Sequence, residues 1–100
     1  MEFWVYILYS PSSDYFYKGQ TDDLEDRLYR HNAGFEKATS DGFPWLLLWR
    51  TKKESRSEAK ILEAKLKNLS RERLIDFMLK YEGDVAGPDA LLLLKQWSGC

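Results

Sequence analysis

From Phe3 to Tyr9 the chain reads Phe-Trp-Val-Tyr-Ile-Leu-Tyr, an apolar run broken only by tyrosine hydroxyls. Aromatic and β-branched residues in so short a run predict a strand. Because both alternating faces are apolar, that strand is expected in the middle of a sheet or covered on both sides. Ser10-Pro11-Ser12-Ser13-Asp14 is turn chemistry, and Tyr15 to Gly19 predicts a second strand. Two strands joined so tightly must be antiparallel. The period then changes to that of a helix. Leu24 and Leu28, four apart, face inward with Tyr29 flanking them. Thr21 or Asp22 is the expected N-cap, and Asp22, Asp23, Glu25 and Asp26 place negative charge at the positive end of the dipole. Asn32-Ala33-Gly34 ends this helix, with Gly34 as its left-handed cap. Phe35 to Gly42 reads as a loop, and Phe43-Pro44 opens a third strand, Trp45 to Arg50.

Ser55 or Ser57 can cap a second helix whose apolar stripe is Ala59, Leu62, Leu66 and Leu69. Ser70 caps a third, Arg71 to about Tyr81, with Leu74, Phe77 and Met78 inward. Gly83, Gly87 and Pro88 interrupt the pattern. Asp89 to Trp97 is then either a short helix docking on the body or a partly ordered tail. The order β-β-α-β-α-α plus a tail predicts an α+β domain, a small three-stranded antiparallel sheet flanked by helices. Residues 1–82 are read as the domain and 83–100 as the tail.

Composition narrows the class. One hundred residues suffice for one domain, and 44% hydrophobic with 15% aromatic residues is globular composition with large side chains for a small core. Cys100 is the single cysteine, so no intramolecular disulfide forms, and a lone terminal thiol fits a reducing cytoplasm. The start, Met-Glu-Phe-Trp, does not read as a signal peptide, and no apolar run approaches a membrane span, so no membrane partner is expected. A net charge of −1 and a pI near 5.8 count against tight, non-specific nucleic-acid binding. Between Arg50 and Arg73, however, nine Lys and Arg face four Glu, a local charge of +5 that can present a basic face.

Several polar residues are not needed by this fold. Tyr6 and Tyr17 lie on the hairpin strands, Arg27 and His31 lie i, i+4 on one helix face, and Glu63 sits among Ile61, Leu62 and Leu66. Each alone has an ordinary role: a half-buried strand aromatic, a solvated arginine, a histidine complementing the dipole, a glutamate paired with Lys67. For the two tyrosines to share a site they must share a sheet face. Paired positions summing to 23 match them directly, whereas a sum of 24 puts them on opposite faces unless a bulge intervenes.

Together these residues carry a resemblance. Val5-Tyr6-Ile7 and Tyr17-Lys18-Gly19 resemble the two short motifs that name the GIY-YIG nucleases. Gln20 to Gly34, with Arg27 and the His31-Asn32-Ala33-Gly34 ending, is similar to that family's helix segment. Pro44-Trp45, Ser57-Glu58-Ala59 and Glu63 to Lys67 resemble its later part, so the likeness runs from about Phe3 to Phe77. It is closest to small stand-alone bacterial members, themselves similar to the nuclease domain of the excision-repair incision subunit.

The resemblance implies a three-stranded antiparallel sheet flanked by helices and a divalent-metal-dependent endonuclease. The expected substrate is DNA in preference to RNA, cut with structural or weak selectivity in repair or recombination. It implies Tyr6, Tyr17, Arg27 and His31 as catalytic residues and Glu63 as ligand to one Mg²⁺ or Mn²⁺. A phenol held at low pKa beside Arg27 and the metal, preferably that of Tyr6, would take the proton of the attacking water, with His31 shuttling a proton or holding Tyr6. Lys18, Lys67 and Asn68 are the secondary substrate-binding candidates. The chain departs from the motifs at Trp4, in place of glycine, and at Lys18, in place of an aliphatic residue. No added DNA-binding module is apparent, so protein partners are expected to deliver substrate to what is expected to be a monomer. The rival readings are a nucleic-acid-binding module of this fold without catalysis, and a protein-interaction domain using the tail around Leu91 to Trp97.

Overall fold

The structure, a computed structural model, describes residues 2–36, 39, 41, 42 and 44–99. Phe43 and Cys100, assigned above as strand opener and terminal thiol, lie outside the described residues. The elements are β1 (Phe3–Ser10), β2 (Tyr15–Thr21), α1 (Leu24–Asn32), β3 (Leu46–Lys53), α2 (Arg56–Lys67), α3 (Arg71–Lys80) and α4 (Pro88–Trp97), with a 3₁₀ turn at Glu82–Asp84. The sheet has three antiparallel strands in the order β2-β1-β3. The doubly apolar β1 is therefore central, as its sequence predicts. Val5, Ile7 and Tyr9 face a core built with α2, α3 and α4. Tyr6 and Leu8 face a second, smaller cluster with Tyr17, Trp45, Leu24 and Leu28.

The hairpin register answers the question of faces. Tyr6 pairs with Gly19 and Leu8 with Tyr17, so paired positions sum to 25. An odd sum keeps Tyr6 and Tyr17 on one face, diagonal rather than opposite, and no bulge is needed between β1 and β2. The register shift falls instead between β1 and β3: Ile7 pairs with Trp49 and Leu8 with Leu47. The extra residue, Leu48, lets Leu48 and Trp49 both enter the helix-side core.

The helix caps follow local chemistry with one displacement. Ser55 and Ser70 cap α2 and α3 through hydrogen bonds accepted from Glu58 N and Arg73 N. The cap of α1 is neither Thr21 nor Asp22 but Asp23, whose carboxylate accepts from Asp26 N. Thr21 is instead buried, its hydroxyl accepting from Asp23 N and so shaping the entry to the helix. Strands β2 and β3 run two and three residues beyond their expected ends. Tyr29, expected to flank the α1 core residues, is exposed and meets Phe35 edge-on.

The C-terminal segment is a docked helix. Leu94 is fully buried, and Trp97 stacks on Tyr9 and Phe16 at 4.7 and 5.6 Å between ring centroids. Its apolar side chains are thus largely spent in the core, with Leu92 left exposed. A second brace holds the same corner: Tyr9 donates its hydroxyl proton to Asp14 at 2.7 Å, and Arg71 donates to the same carboxylate oxygen at 3.0 Å. These two bonds hold the Asp14 carboxyl below its usual pKa, while the bond to Asp14, helped by burial, pushes the Tyr9 phenol up against the opposing pull of Arg71. They also fix Asp14 in its left-handed conformation, φ 52°, at the hairpin turn. Truncating a fully buried leucine removes transfer energy and leaves a cavity. Leu94→Ala is therefore expected to cost about 2–4 kcal/mol, read as a lower urea midpoint with unchanged slope. An unchanged midpoint would exclude α4 from the cooperative unit.

Candidate functional site

On the smaller-cluster face of the sheet, three aromatic groups meet. The Tyr6 hydroxyl lies 2.9 Å from His31 Nε2, and Tyr17 packs against both, at 6.3 Å from Tyr6 and 4.9 Å from His31 between centroids. His31 is fully buried, and its Nδ1 is 2.7 Å from Thr39 Oγ1. Thr39 Oγ1 in turn lies 3.4 Å from the carbonyl oxygen of Glu36. A carbonyl only accepts, so the Thr39 hydroxyl donates there and accepts from Nδ1–H. Nε2 is then the bare nitrogen and accepts the Tyr6 O–H. With this tautomer no buried side-chain nitrogen or oxygen among the described residues lacks a hydrogen-bond partner. Burial holds the imidazole below its ordinary pKa, so it is neutral near pH 7.

Gly19 completes the geometry. A Cβ at this position would stand 2.6 Å from the Tyr6 oxygen, 2.7 Å from its Cζ and 3.0 Å from Tyr17 Cε2. With Tyr6 only 1% exposed and tethered to His31, the ring has nowhere to retreat. The glycine opposite Tyr6 is therefore what lets both phenols lie over β2.

Arg27 and Glu63 approach this group from different elements. The Arg27 guanidinium, on α1, lowers the pKa of both Tyr6 and Tyr17, and the Glu63 carboxylate, on α2, raises both. Each is thus within electrostatic reach of the two phenols. The expectation of a low phenol pKa is not met. Arg27 pulls downward as expected, but burial outweighs it, and both phenols are pushed up. Near pH 7 Tyr6 is a neutral phenol bonded to a neutral imidazole. Arg27 Nη1 lies 3.5 Å from Glu36 Oε1, and Glu63 Oε2 lies 3.3 Å from Lys67 Nζ with the Glu63 side chain 20% exposed. Among the described residues no three His, Cys, Asp or Glu cluster closely enough to enclose a metal ion, and the Glu36 carboxylate joins Glu63 in raising both phenols.

Of the secondary candidates, Lys67 acts on Tyr17 and on Lys18, whose ammonium is held below its ordinary pKa by burial first and by Lys67 second. Asn68 is not brought in. It is the exposed C-cap of α2, its backbone N–H bonded to Lys65 and Leu66. Trp4 lies on the Tyr6 face by alternation, paired with Thr21 and Lys52, and is only partly buried. Sequence reasoning missed Thr39, Glu36 and the wall formed by Trp45, whose N–H donates to Asn32 Oδ1 at 2.6 Å and whose indole donates to Thr39 O at 2.9 Å. An orphaned imidazole nitrogen was the available signal for a loop hydroxyl, but it does not say which one.

Comparison with known proteins agrees with the fold. The family model described as the GIY-YIG catalytic domain matches residues 2–76. The UPF0213 protein lwe0147 of Listeria welshimeri is 36% identical over 84 residues, covering 83% of this chain and 92% of that protein. The solution NMR structure of the UPF0213 protein BH0048 from Bacillus halodurans superposes with a TM-score of 0.54 at 31% identity, covering 90% of this chain and 92% of that one.

Two outcomes are expected of the free protein. Gly19→Ala must displace a buried ring and is expected to cost about 1–3 kcal/mol in urea unfolding; a neutral result would mean that Tyr6 moves freely. The second concerns pH. The folded pKa of His31 lies below its unfolded value near 6.5, so the unfolded chain binds the extra proton first. Stability is then full above about pH 6.5 and falls as pH drops below it, by at most about 1.4 kcal/mol per unit. His31 is the only histidine, so His31→Asn is expected to flatten the stability profile between about pH 6.5 and 5. Parallel profiles for the two proteins would contradict a buried neutral imidazole.

Proposed function

Since the chain belongs to the GIY-YIG family, whose catalytic domain supports endonuclease-type activity, we propose that it hydrolyses phosphodiester bonds of DNA around Tyr6, with one divalent ion at Glu63. The observation that carries this reading is the convergence of a hydrogen-bonded phenol–imidazole pair with the charges of Arg27 and Glu63. The donor set fits the ion. A hard cation such as Mg²⁺ or Mn²⁺ keeps several waters and needs only one or two carboxylates. Glu63, partly exposed and paired only with a surface lysine, offers one without a closed cage. When bound, such an ion polarises a phosphoryl oxygen and favours departure of the alkoxide.

The chain's own residues supply the rest. Arg27 presents a planar, permanently charged fork to non-bridging phosphate oxygens as negative charge builds. Its pair with Glu36 is long and part-exposed, so a phosphate oxygen can replace that carboxylate. Tyr6 and His31 handle the proton together. As a water oxygen bonds to phosphorus, its proton passes to the Tyr6 oxygen while the Tyr6 proton moves to His31 Nε2. A raised phenol pKa is no obstacle to this relay, because no free phenolate has to form. Thr39 fixes the tautomer that makes it possible. Tyr17 shapes the opposite wall, and Lys18 and Lys67 offer positive charge beside it. We place this activity in repair or recombination in a bacterial cytoplasm, with partners delivering substrate to a monomer.

A panel of nicked, branched and flapped DNA and matching RNA, incubated with Mg²⁺ or Mn²⁺, tests the reading. Cleavage is expected for the wild type. Glu63→Ala should abolish it while retaining binding, and Arg27→Ala and Tyr6→Phe should each lower kcat by roughly 10²-fold or more. Binding without cleavage by the wild type across the panel would favour the catalytically silent module instead.

A further inference from the structure

The aromatic face that carries Tyr6 and Tyr17 does not stop at the candidate site. Tyr15, Tyr17 and Gly19 alternate onto one face of β2, so Tyr15 extends the same row towards the hairpin turn. The rings follow one another: His31 to Tyr17 at 4.9 Å, Tyr17 to Trp45 at 6.3 Å, and Trp45 to Tyr15 at 6.5 Å, the last two edge-to-face. His31 and Trp45 are buried, whereas Tyr15 is 55% exposed. Trp45 cannot shift to cover it. Both its N–H groups are bonded, to Asn32 and to Thr39, and Gly42 lies so close that a side chain there would collide with the indole. A cavity of about 310 Å³ opens beside the two rings, lined also by Ser13, Gly42 and Asp41. On the other side of Tyr15 the Lys18 ammonium stands 5.7 Å from the ring centroid.

An exposed aromatic ring backed by a fixed one, with a cation on its far side, is the arrangement that binds unpaired nucleotides. The base stacks on the ring and the phosphate seeks the cation. The single acid of the lining, Asp41, is on the cavity side with Trp45, where a base and not a phosphate would lie. Tyr15 stands two strand residues from Tyr17, about 7 Å. That is about two base steps of a strand rising roughly 3.4 Å each.

We propose that Tyr15, backed by Trp45 and flanked by Lys18, is a stacking subsite for an unpaired base within a nucleotide or two of the scissile phosphate. The substrate class is then nucleic acid with a single-stranded or frayed segment beside the cut. This rests on the nuclease reading for its biological meaning but not for its test, which is binding alone.

The test measures anisotropy of a fluorescein-labelled 12-nucleotide single strand of mixed sequence and of a blunt duplex of the same length, at low salt without divalent metal. It uses the full chain and its Tyr15→Ala and Tyr15→Phe variants. Tyr15→Ala is expected to weaken single-strand binding about 10-fold, Tyr15→Phe to stay within about twofold, and duplex binding to be unchanged by either. Urea midpoints within error of wild type confirm that an exposed residue has been changed without loss of fold. No measurable single-strand binding by the wild type, an equal loss on duplex, or failure of phenylalanine to preserve binding would overturn the subsite. If the expected binding pattern is found but no member of the cleavage panel is cut, the subsite stands and the nuclease reading falls. If the panel is cut and Tyr15→Ala binds normally, the reverse holds.

Discussion

A strand with no solvent face must find a partner for every polar atom it carries, and β1 carries two buried phenols. Their hydroxyls point to opposite layers and are satisfied in different ways. That of Tyr9 goes to Asp14, which is also held by Arg71, so the hairpin turn is pinned to α3. That of Tyr6 goes to His31, which must then satisfy its other nitrogen and does so at Thr39. Thr39 stands midway along the loop between α1 and β3, and its carbonyl accepts from the Trp45 indole. One brace stabilises the fold. The other leaves a proton-accepting nitrogen against a phenol in a place that Arg27 and Glu63 can both influence.

The central position of β1, the antiparallel hairpin and the helix periods were legible in the sequence because each is a local pattern repeated over several residues. Tyr6, Tyr17, Arg27, His31 and Glu63 were singled out through motif order and not through any property of one residue, and the structure brings them within reach of one another. What escaped depended on register and on loops. The hairpin sum of 25 follows from the four-residue turn between Ser10 and Tyr15, and turn length is not encoded in strand pattern. Thr39 and Glu36 belong to an irregular segment with no period to betray them. Asp23 displaced its two neighbours as N-cap because Thr21 remains paired in β2, which a choice among three adjacent capping residues does not reveal. The low-pKa tyrosine failed for a quantitative reason: proximity to an arginine is visible in a motif, whereas the depth of burial that outweighs it is not.

Charge shows the same division between local and global information. The basic run from Arg50 to Arg73 is one block in sequence, but β3, α2 and α3 share it. Four of its nine cations meet acids from elsewhere or from their own helix: Lys52 with Glu2, Arg56 with Asp22, Lys67 with Glu63 and Arg71 with Asp14. Such exposed pairs are worth at most about 1 kcal/mol each. They spread the positive charge instead of concentrating it, in keeping with a net charge of −1. Pairing thins the positive face that phosphate neutralisation would use.

That shortage gives the aromatic row its weight. A nuclease held to DNA mainly by phosphate neutralisation would cut wherever it landed; one whose basic run is partly paired off gains by recognising something besides charge. The resources around the tyrosines are a cation fork at Arg27, a carboxylate at Glu63, Lys18 on β2, Lys67 at the end of α2 and a row of rings that ends in the open. Rings discriminate unpaired from paired bases, because a stacked duplex offers its π-faces only at its ends. In the proposed reading, selectivity for structure over sequence would follow from what the fold had to do already: fill the second face of a central strand with aromatic side chains, and satisfy the Tyr6 hydroxyl buried among them.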